Sequence, residues 1–261
     1  MVQTSVIGCG NMGSALIKGL SRAGNHTVTA CDLDPDALES VAEYCERTTS
    51  DVADATDADV VVVAVKPTIV GAVLDDLDLS PEQTLLSIAA GVPTDYVEAR
   101  TDANVVRIMP NLAAETGDMA AAVTGDDVPD EVRDLLADVG EFAEIDETQM
   151  DIATAVNGSG PAFVFYLIQA MAEAGVDGGL EDTDAETLAA QTFKGAAETV
   201  LRSDEDIDDL IDAVCSPNGT TIEGMEVLWD SDVQEDVAAA VTAAEERSTE
   251  LAAEFGSEDD V

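Results

Sequence analysis

The feature that most constrains the fold of this chain is a glycine-rich loop between an apolar run and an amphipathic run. The loop is Gly8-Cys9-Gly10-Asn11-Met12-Gly13, with the spacing G-x-G-x-x-G. Val2 to Ile7 before it is predicted as a strand, and Asn11 to Ala23 after it as a helix. Glycines at this spacing permit a tight turn, close approach of a pyrophosphate and close packing of the helix on the strand. The loop therefore predicts a dinucleotide-binding domain, and a glycine turn without a ligand is the alternative.

Strand-like and helix-like runs alternate after this loop. Asp36 to Arg47 is predicted as a helix, and Asp59 to Val65 is an unbroken β-branched run of the kind that forms a buried parallel strand. Further strands are predicted at Thr27 to Cys31, Thr84 to Ala89 and Asn104 to Met109. This alternation predicts an α/β fold with a doubly wound sheet.

The pattern becomes all-helical after Asp146, which predicts a domain boundary near residue 150, with domains 1–150 and 151–261. The polar tail Gly256 to Val261 is expected to fray. Helices are predicted at Thr148 to Val156, Pro161 to Ala174, Asp184 to Arg202, Glu205 to Ala213, Thr221 to Trp229 and Val233 to Phe255.

The chain is strongly acidic, with 56 acidic and 10 basic residues and a formal net charge of −46. This charge disfavours nucleic acid and anionic membranes as partners. The acidic residues are spread along the chain, which predicts adaptation to a high-salt cytoplasm, although a merely acidic protein is the alternative. The four cysteines form no C-x-x-C pair, so we expect neither a metal site nor a disulfide framework. Reduced cysteines and the lack of a signal peptide or apolar span predict a cytoplasmic protein.

Several residues at predicted strand ends suit a dinucleotide. Asp32 would accept a hydrogen bond from a ribose 2′-hydroxyl and repel a 2′-phosphate, which favours NADH over NADPH, unless it is only a solvated turn carboxylate. Lys66, in Ala64-Val65-Lys66-Pro67, would hold cofactor phosphate or carboxamide groups, or else is a solubilising charge. Small residues in Ser87-Ile88-Ala89-Ala90-Gly91 would let a nicotinamide ring approach the backbone.

Two loops in the second half suit a small acidic substrate. Asn157-Gly158-Ser159-Gly160-Pro161 runs into an apolar helix, and the free N–H groups of such a helix start attract anions. Ser216-Pro217-Asn218-Gly219-Thr220-Thr221 leads into another helix. The hydroxyls of Thr220 and Thr221 would bond a ring nitrogen or a carboxylate, or one of them is an ordinary N-cap.

No strong acid–base group is recognisable in the sequence. The single histidine, His26, precedes the second strand and is interpreted as a surface or turn residue, and Lys194 is the lone lysine of the helical half. Hydrolysis and alcohol dehydrogenation usually need a base, whereas reduction of a protonated imine needs positioning and a hydride donor.

Together these motifs resemble the pyrroline-5-carboxylate reductase family almost from end to end. The matching blocks are the loop Gly8 to Gly13, Ala-Val-Lys-Pro at 64–67, Ala-Ala-Gly at 89–91, Met-Pro-Asn at 109–111, Gly-Ser-Gly-Pro-Ala at 158–162, Ala-Gly-Val at 174–176 and Ser-Pro-Asn-Gly-Thr-Thr at 216–221. The resemblance implies a Rossmann-like N-terminal domain and an all-helical C-terminal domain that dimerises and builds higher assemblies. It also implies hydride transfer from NADPH or NADH to C5 of 1-pyrroline-5-carboxylate, giving L-proline.

The resemblance also implies residue roles. Thr221 would bond the ring nitrogen and is the predicted catalytic residue, acting mainly by positioning. The implied substrate residues are Glu147, Asn157, Gly158, Ser159, Gly160, Thr220 and Thr221. The implied dinucleotide residues are Gly8, Cys9, Gly10, Asn11, Met12, Gly13, Asp32, Ala64, Val65, Lys66, Pro67, Ala89 and Ala90. Two positions depart from the family pattern, because Asn157 replaces a serine and Asn218 replaces a glycine.

Two other functions fit part of the pattern. A relative of the β-hydroxyacid dehydrogenases shares the two-domain plan but would need a catalytic lysine, for which Lys194 is the candidate. A non-catalytic dinucleotide sensor would keep the loop Gly8 to Gly13 but would not need the loops around Gly158 and Thr220.

Overall fold

The computed structural model describes residues 2–258, which divide into two compact units. The first contains residues 2–159 and 242–258, and the second contains residues 160–241. The sequence-based domain boundary near residue 150 stays a prediction.

The first unit is built on an eight-stranded sheet with the order β3-β2-β1-β4-β5-β6-β7-β8. Neighbouring strands run parallel except for the antiparallel pair β6 and β7. The order of the first six strands is that of doubly wound dinucleotide-binding folds, so the predicted fold class is confirmed. The strands are β1 (Val2–Ile7), β2 (His26–Cys31), β3 (Arg47–Thr49), β4 (Val60–Val63), β5 (Thr84–Ser87), β6 (Asn104–Pro110), β7 (Met119–Thr124) and β8 (Gly140–Glu144).

Helices cover both faces of this sheet, as a parallel sheet requires. On one face, Val6 of β1 packs in a buried cluster with Leu16 and Leu136, from helices α1 (Asn11–Ala23) and α5 (Asp130–Ala137). On the other face, Ile7 clusters with Val70 and Val97, from α3 (Val70–Asp75) and α4 (Thr94–Glu98). Helix α2 spans Pro35–Val41.

Three strands were not predicted from the sequence. β3 lies partly where the helix from Asp36 to Arg47 was expected, because that helix ends at Val41 and a 3₁₀ turn follows at Ala42–Tyr44. β7 is rich in alanine, and β8 contains a glycine and two glutamates. Alanine, glycine and glutamate have low strand propensity, so pairing with neighbouring strands decides the structure of β7 and β8.

The region after β8 is helical. The elements are α6 (Met150–Ala153), a π-helical turn (Thr154–Gly158), α7 (Gly160–Asp177), α8 (Asp182–Arg202), α9 (Ile207–Val214), α10 (Thr220–Trp229) and α11 (Val233–Glu258). The tail that was expected to fray continues helix α11 through Glu258, and residues 259–261 lie outside the described residues. Within residues 2–258, none of the helices has the length and apolar content needed to cross a membrane.

The second unit has almost no apolar interior of its own. Among the described residues 160–241, the buried apolar side chains are those of Ala185 and Ala189. Large apolar side chains are instead exposed along its helices, among them Phe165, Tyr166, Leu188, Leu201, Val227 and Trp229.

Candidate functional site

The loop between β1 and α1 has the geometry of a dinucleotide loop. Gly8 has a φ of 101°, and a methyl group on it would lie 2.6 Å from the Ala64 carbonyl oxygen. A methyl group on Gly13 would overlap the Gly8 carbonyl oxygen, so this glycine allows α1 to pack closely on the strand. Gly10 has open space where its side chain would be, which leaves room for a phosphate group.

The other predicted dinucleotide residues follow the same edge of the sheet. Cα pairing places Ile7 beside Cys31 on one side and Val63 on the other, and Val63 beside Ser87. The segments after these strands, which contain Gly8, Asp32, Ala64 and Ala89, therefore emerge side by side where open α/β sheets bind ligands. Lys66 is exposed at this edge and makes no ion pair among residues 2–258.

Both carboxylate oxygens of Asp32 accept backbone hydrogen bonds. The Cys9 N–H donates to Oδ2 at 2.6 Å, and the Asp34 N–H donates to Oδ1 at 2.8 Å. Asp32 therefore fixes the glycine loop against the end of β2.

Buried thiols lie under this edge. Burial, together with the negative charge of Asp32, raises the pKa of Cys9 to about 12 and that of Cys31 to about 11. Both thiols are neutral near pH 7, so Cys9 fills space in the loop as a small apolar residue.

Glu147 forms a polar cluster with Arg107, which lies in β6, and with Thr94, which follows β5 in the chain. The Arg107 guanidinium of β6 forms an ion pair with Glu147 Oε1, and the Thr94 N–H donates to the same oxygen at 3.4 Å. Arg107 is only 6% exposed, and its Cα is paired with that of Ser87. Arg107 Nε, Glu147 Oε2 and Ser87 Oγ are buried without a hydrogen-bond partner among the described residues.

The turn before α7 differs from the simple helix start expected from the sequence. Residues 154–158 form a π-helical turn, and the Ser159 N–H donates to the Thr154 carbonyl at 3.0 Å. That N–H is therefore engaged within the turn. The Asn157 side chain donates to the carbonyls of Met109 and Ala120. Gly158 is exposed, and Ser159 and Gly160 are partly buried.

The second loop, in the other unit, leaves its threonines free. Gly219 caps α10, so neither threonine is the N-cap, and Thr220 and Thr221 occupy the first turn. Among the described residues, neither threonine hydroxyl makes a hydrogen bond. Asn218 has a φ of 59°, the left-handed conformation that asparagine tolerates better than most residues.

His26 and Lys194 lie outside these clusters. The interpretation of His26 as a surface or turn residue is wrong, because it begins β2 and its side chain is 2% exposed. Its Nε2 lies 2.8 Å from Asp138, at the amino end of the strand and opposite the glycine loop. Lys194 is exposed in the middle of α8.

Arg107 is the residue whose role the sequence did not reveal. A signal was present, because a charged residue in the apolar run Val105-Val106-Arg107-Ile108-Met109 must be paired if it is buried. Its partner, Glu147, follows 40 residues later, so the sequence alone did not connect the two. Within the described residues, no cluster of three metal-ligating side chains is present.

The sheet order and the glycine loop define a dinucleotide-binding α/β domain of the kind found in NAD(P)H-dependent oxidoreductases. Residues 147–251 match the protein family described as pyrroline-5-carboxylate reductase dimerisation, and residues 3–91 match the family described as coenzyme F420-dependent NADP oxidoreductase.

Similar full-length proteins identify the family. The pyrroline-5-carboxylate reductase of Methanosarcina acetivorans is 37% identical, with 94% of this chain and 96% of that protein covered. The structure of the Coxiella burnetii enzyme superposes with a TM-score of 0.87 at 31% identity, over 96% of this chain and 98% of that one. The Plasmodium falciparum enzyme with NADP bound gives 0.80 at 29% identity, over 96% and 98%. The chain belongs to the pyrroline-5-carboxylate reductase family.

Proposed function

We propose that the protein reduces 1-pyrroline-5-carboxylate to L-proline, the last step of proline biosynthesis, with NAD(P)H supplying the hydride. The observation that carries this proposal is the full-length similarity to reductases of this name, together with a glycine loop whose geometry suits a pyrophosphate. The same similarity weighs against a β-hydroxyacid dehydrogenase, for which exposed Lys194 would have to be the catalytic residue.

The dinucleotide lies along the carboxyl edge of the sheet in this proposal. The backbone from Gly8 to Gly13 would hold the pyrophosphate, because Gly10 leaves space there. Lys66 neutralises phosphate charge, and the small side chains of Ala89 and Ala90 admit the nicotinamide ring. We keep the dinucleotide residues that the sequence predicts. Among them, Val65 and Pro67 lie on either side of Lys66 in the segment that follows β4.

NADH is the preferred cofactor in this proposal. Asp32 lies at the end of β2, and its carboxylate is held beside the glycine loop by the N–H groups of Cys9 and Asp34. Such a carboxylate favours a free ribose 2′-hydroxyl and repels a 2′-phosphate. Asp51 and Asp54 lie close enough to Cys31 to raise the pKa of its thiol, so they add negative charge near the end of β2. The Plasmodium relative has NADP bound, so both cofactors belong in the test.

Substrate binding uses groups that the fold leaves free. In the helical unit, we assign the Thr221 hydroxyl to the ring nitrogen and Thr220, next to it in the first turn of α10, to the substrate. In the sheet unit, we assign Ser159 and the preceding Gly158 to the carboxylate. Because the Ser159 N–H is engaged with Thr154, we assign the Ser159 contact to its hydroxyl. Glu147 offers a carboxylate to the positively charged, protonated imine, and Arg107 and Thr94 fix its orientation.

The assembly and the compartment are part of the same proposal. Self-association follows from the match of residues 147–251 to a dimerisation family, and we propose that dimers join into higher oligomers. All four cysteines are free thiols, which suits a reducing cytoplasm. The net charge of −46 supports adaptation to a salt-rich cytoplasm.

The test is oxidation of NADH and of NADPH, measured separately with 1-pyrroline-5-carboxylate at 0.1 M and at molar KCl. We expect substrate-dependent oxidation with both cofactors and a higher kcat/KM with NADH. No oxidation with either cofactor under any condition would exclude the proposed activity.

Two variants test the assigned residues in that assay. Thr221→Ala should lower kcat strongly and leave the Kd for NADH unchanged, and an unaltered kcat would remove Thr221 from the mechanism. Asp32→Asn keeps an oxygen acceptor and removes the charge, so it should raise kcat/KM with NADPH relative to NADH. A ratio equal to that of the wild type would show that Asp32 does not set the preference.

A further inference from the structure

Asn157 lies in the π-helical turn immediately before Gly158 and Ser159. Its Nδ2 donates to the Met109 carbonyl at 2.6 Å and to the Ala120 carbonyl at 3.0 Å. These carbonyls belong to β6 and β7, at the end where β6 finishes. One side chain therefore ties the turn to two adjacent strands of the sheet.

The orientation of this side chain follows from its partners. Two carbonyl oxygens can accept hydrogen bonds only, so they must face the NH₂ group of the amide. Oδ1 is buried and has no hydrogen-bond partner among the described residues, so the stabilising contacts of the amide are those made by Nδ2. A substitution that removes Nδ2 therefore removes both side-chain hydrogen bonds from the turn to the sheet.

The contact point on the sheet side is held by further hydrogen bonds. The Asn111 N–H donates to the Ala120 carbonyl at 3.2 Å, and Asn111 Oδ1 accepts from the Ala120 N–H at 3.3 Å and from the Ala113 N–H at 3.1 Å. The Ala120 carbonyl therefore accepts from both the Asn111 N–H and the Asn157 side chain.

The turn itself needs such support. A π turn inserts an extra residue and occurs as a single bulge, often at functional sites. Here the Ser159 N–H reaches back to Thr154, and Ala155 is buried while Gly158 is exposed. The exposed end of the turn carries the residues assigned to the substrate carboxylate, and Asn157 is the side chain that connects them to the sheet.

We propose that Asn157 is a positioning residue, whose bonds to Met109 and Ala120 hold Gly158 and Ser159 in the geometry that binds the substrate carboxylate. The inference rests on the proposed function. It differs from the expectation drawn from the family pattern, in which Asn157 itself contacts the substrate, because the amide donor is already used within the protein.

Asn157→Ala tests this role by steady-state kinetics. We expect KM for 1-pyrroline-5-carboxylate to rise about five- to tenfold, the effect of roughly one net hydrogen bond, with kcat and the Kd for NADH unchanged. Asn157→Ser keeps one donor on a shorter side chain, so its KM should lie between those of the wild type and the alanine variant.

Asn104 provides a matched control at the opposite end of the same strand. Its Nδ2 donates to the Asp127 carbonyl at 3.0 Å, so Asn104→Ala also removes an amide–carbonyl bond from β6. We expect its KM to equal that of the wild type. An unchanged KM in Asn157→Ala, or an equal rise in Asn104→Ala, would overturn the positioning role. A wild-type protein that oxidises neither cofactor would instead overturn the proposed function, and this inference with it.

Discussion

The two units of this chain solve the problem of burial in different ways. The sheet unit has apolar clusters on both faces, and side chains such as Ile17, Leu86 and Ile108 are fully or almost fully removed from solvent. In the helical unit, over the described residues 160–241, Ala185 and Ala189 alone are buried apolar side chains. Phe165 is 68% exposed and Trp229 is 53% exposed.

This difference shows which part of the molecule can be stable in a single chain. A sheet covered on both faces buries enough apolar surface to offset the loss of conformational entropy. A layer of helices with its large apolar side chains exposed must cover them with another surface. Residues 147–251 match a dimerisation family, so we expect self-association to cover the exposed apolar side chains of the helical unit.

The largest effect is expected from placing a charge on the exposed apolar face of the helical unit. Leu188, on α8, is 57% exposed. Leu188→Glu should abolish assembly, because burying an unpaired charge in an interface costs about 3–5 kcal/mol. Sedimentation should show smaller particles, and the emission of Trp229, the single tryptophan, should shift to the red.

Ala190→Glu adds the same charge to an exposed position about 200° around the same helix from Leu188 and serves as the control. We expect it to assemble as the wild type does. Normal assembly of Leu188→Glu would contradict the claim that the helical unit needs a partner surface. Loss of NADH binding together with assembly would contradict the claim that the sheet unit folds and binds without it.

The next effect separates folding from binding within the sheet unit. Gly10→Ala has room for its methyl group and a φ of −67°, so the protein should fold normally. The methyl group would occupy the phosphate space and raise the Kd for NADH about 10- to 100-fold, through loss of a charge-assisted hydrogen bond.

Gly13→Ala is the counterpart, because its methyl group would overlap the Gly8 carbonyl. It should lower the free energy of unfolding by about 1–3 kcal/mol or more through overpacking. NADH titration and thermal unfolding distinguish the two variants. Equal effects of both substitutions on stability would contradict the assignment of Gly10 to ligand space.

The parts of the fold that could be predicted from sequence are those with local signals. β1 and α1 begin and end where expected, because the glycine loop separates them and Gly24 ends the helix in a left-handed conformation. β7 and β8 could not be predicted, because alanine and glutamate become strand residues there through pairing with β6 and with each other.

The candidate site divides in the same way. The loops Gly8 to Gly13 and Ser216 to Thr221 were found from local motifs. The ion pair of Arg107 with Glu147, and the bonds from Asn157 to Met109 and Ala120, join residues far apart in sequence. Such contacts form only once the sheet has formed. A local pattern can indicate that a buried Arg107 needs a partner, but it cannot identify which distant residue that partner is.

A moderate effect is expected from salt, and it should be larger for the helical unit. Chains with a net charge of −46 repel each other when they associate. The Debye length falls from about 10 Å at 0.1 M to about 3 Å at 1 M salt, so molar KCl should strengthen assembly. Thermal unfolding can be followed by Trp229 emission for the helical unit and by loss of NADH binding for the sheet unit. We expect KCl to raise the midpoint temperature of the Trp229 signal more than that of the NADH-binding signal. Equal shifts in both signals would show that charge does not act on the interface in particular.

The smallest effect is expected in the sheet unit at alkaline pH. The pKa of the Cys9 thiol is raised from 9.0 to about 12, and that of Cys31 to about 11, mainly by burial. A raised pKa in the folded state gives stability that is complete below pH 9 and is lost as the pH rises from 9 towards 12, because the unfolded thiols ionise first. The midpoint temperature of thermal unfolding of the sheet unit should therefore fall between pH 8 and pH 11. The double variant Cys9→Ala, Cys31→Ala should show a smaller fall with pH. Cys215→Ala, in the helical unit, is the control and should leave the change of midpoint temperature with pH as in the wild type. If the double substitution also leaves that change as it is, groups other than these two thiols control alkaline unfolding of the sheet unit.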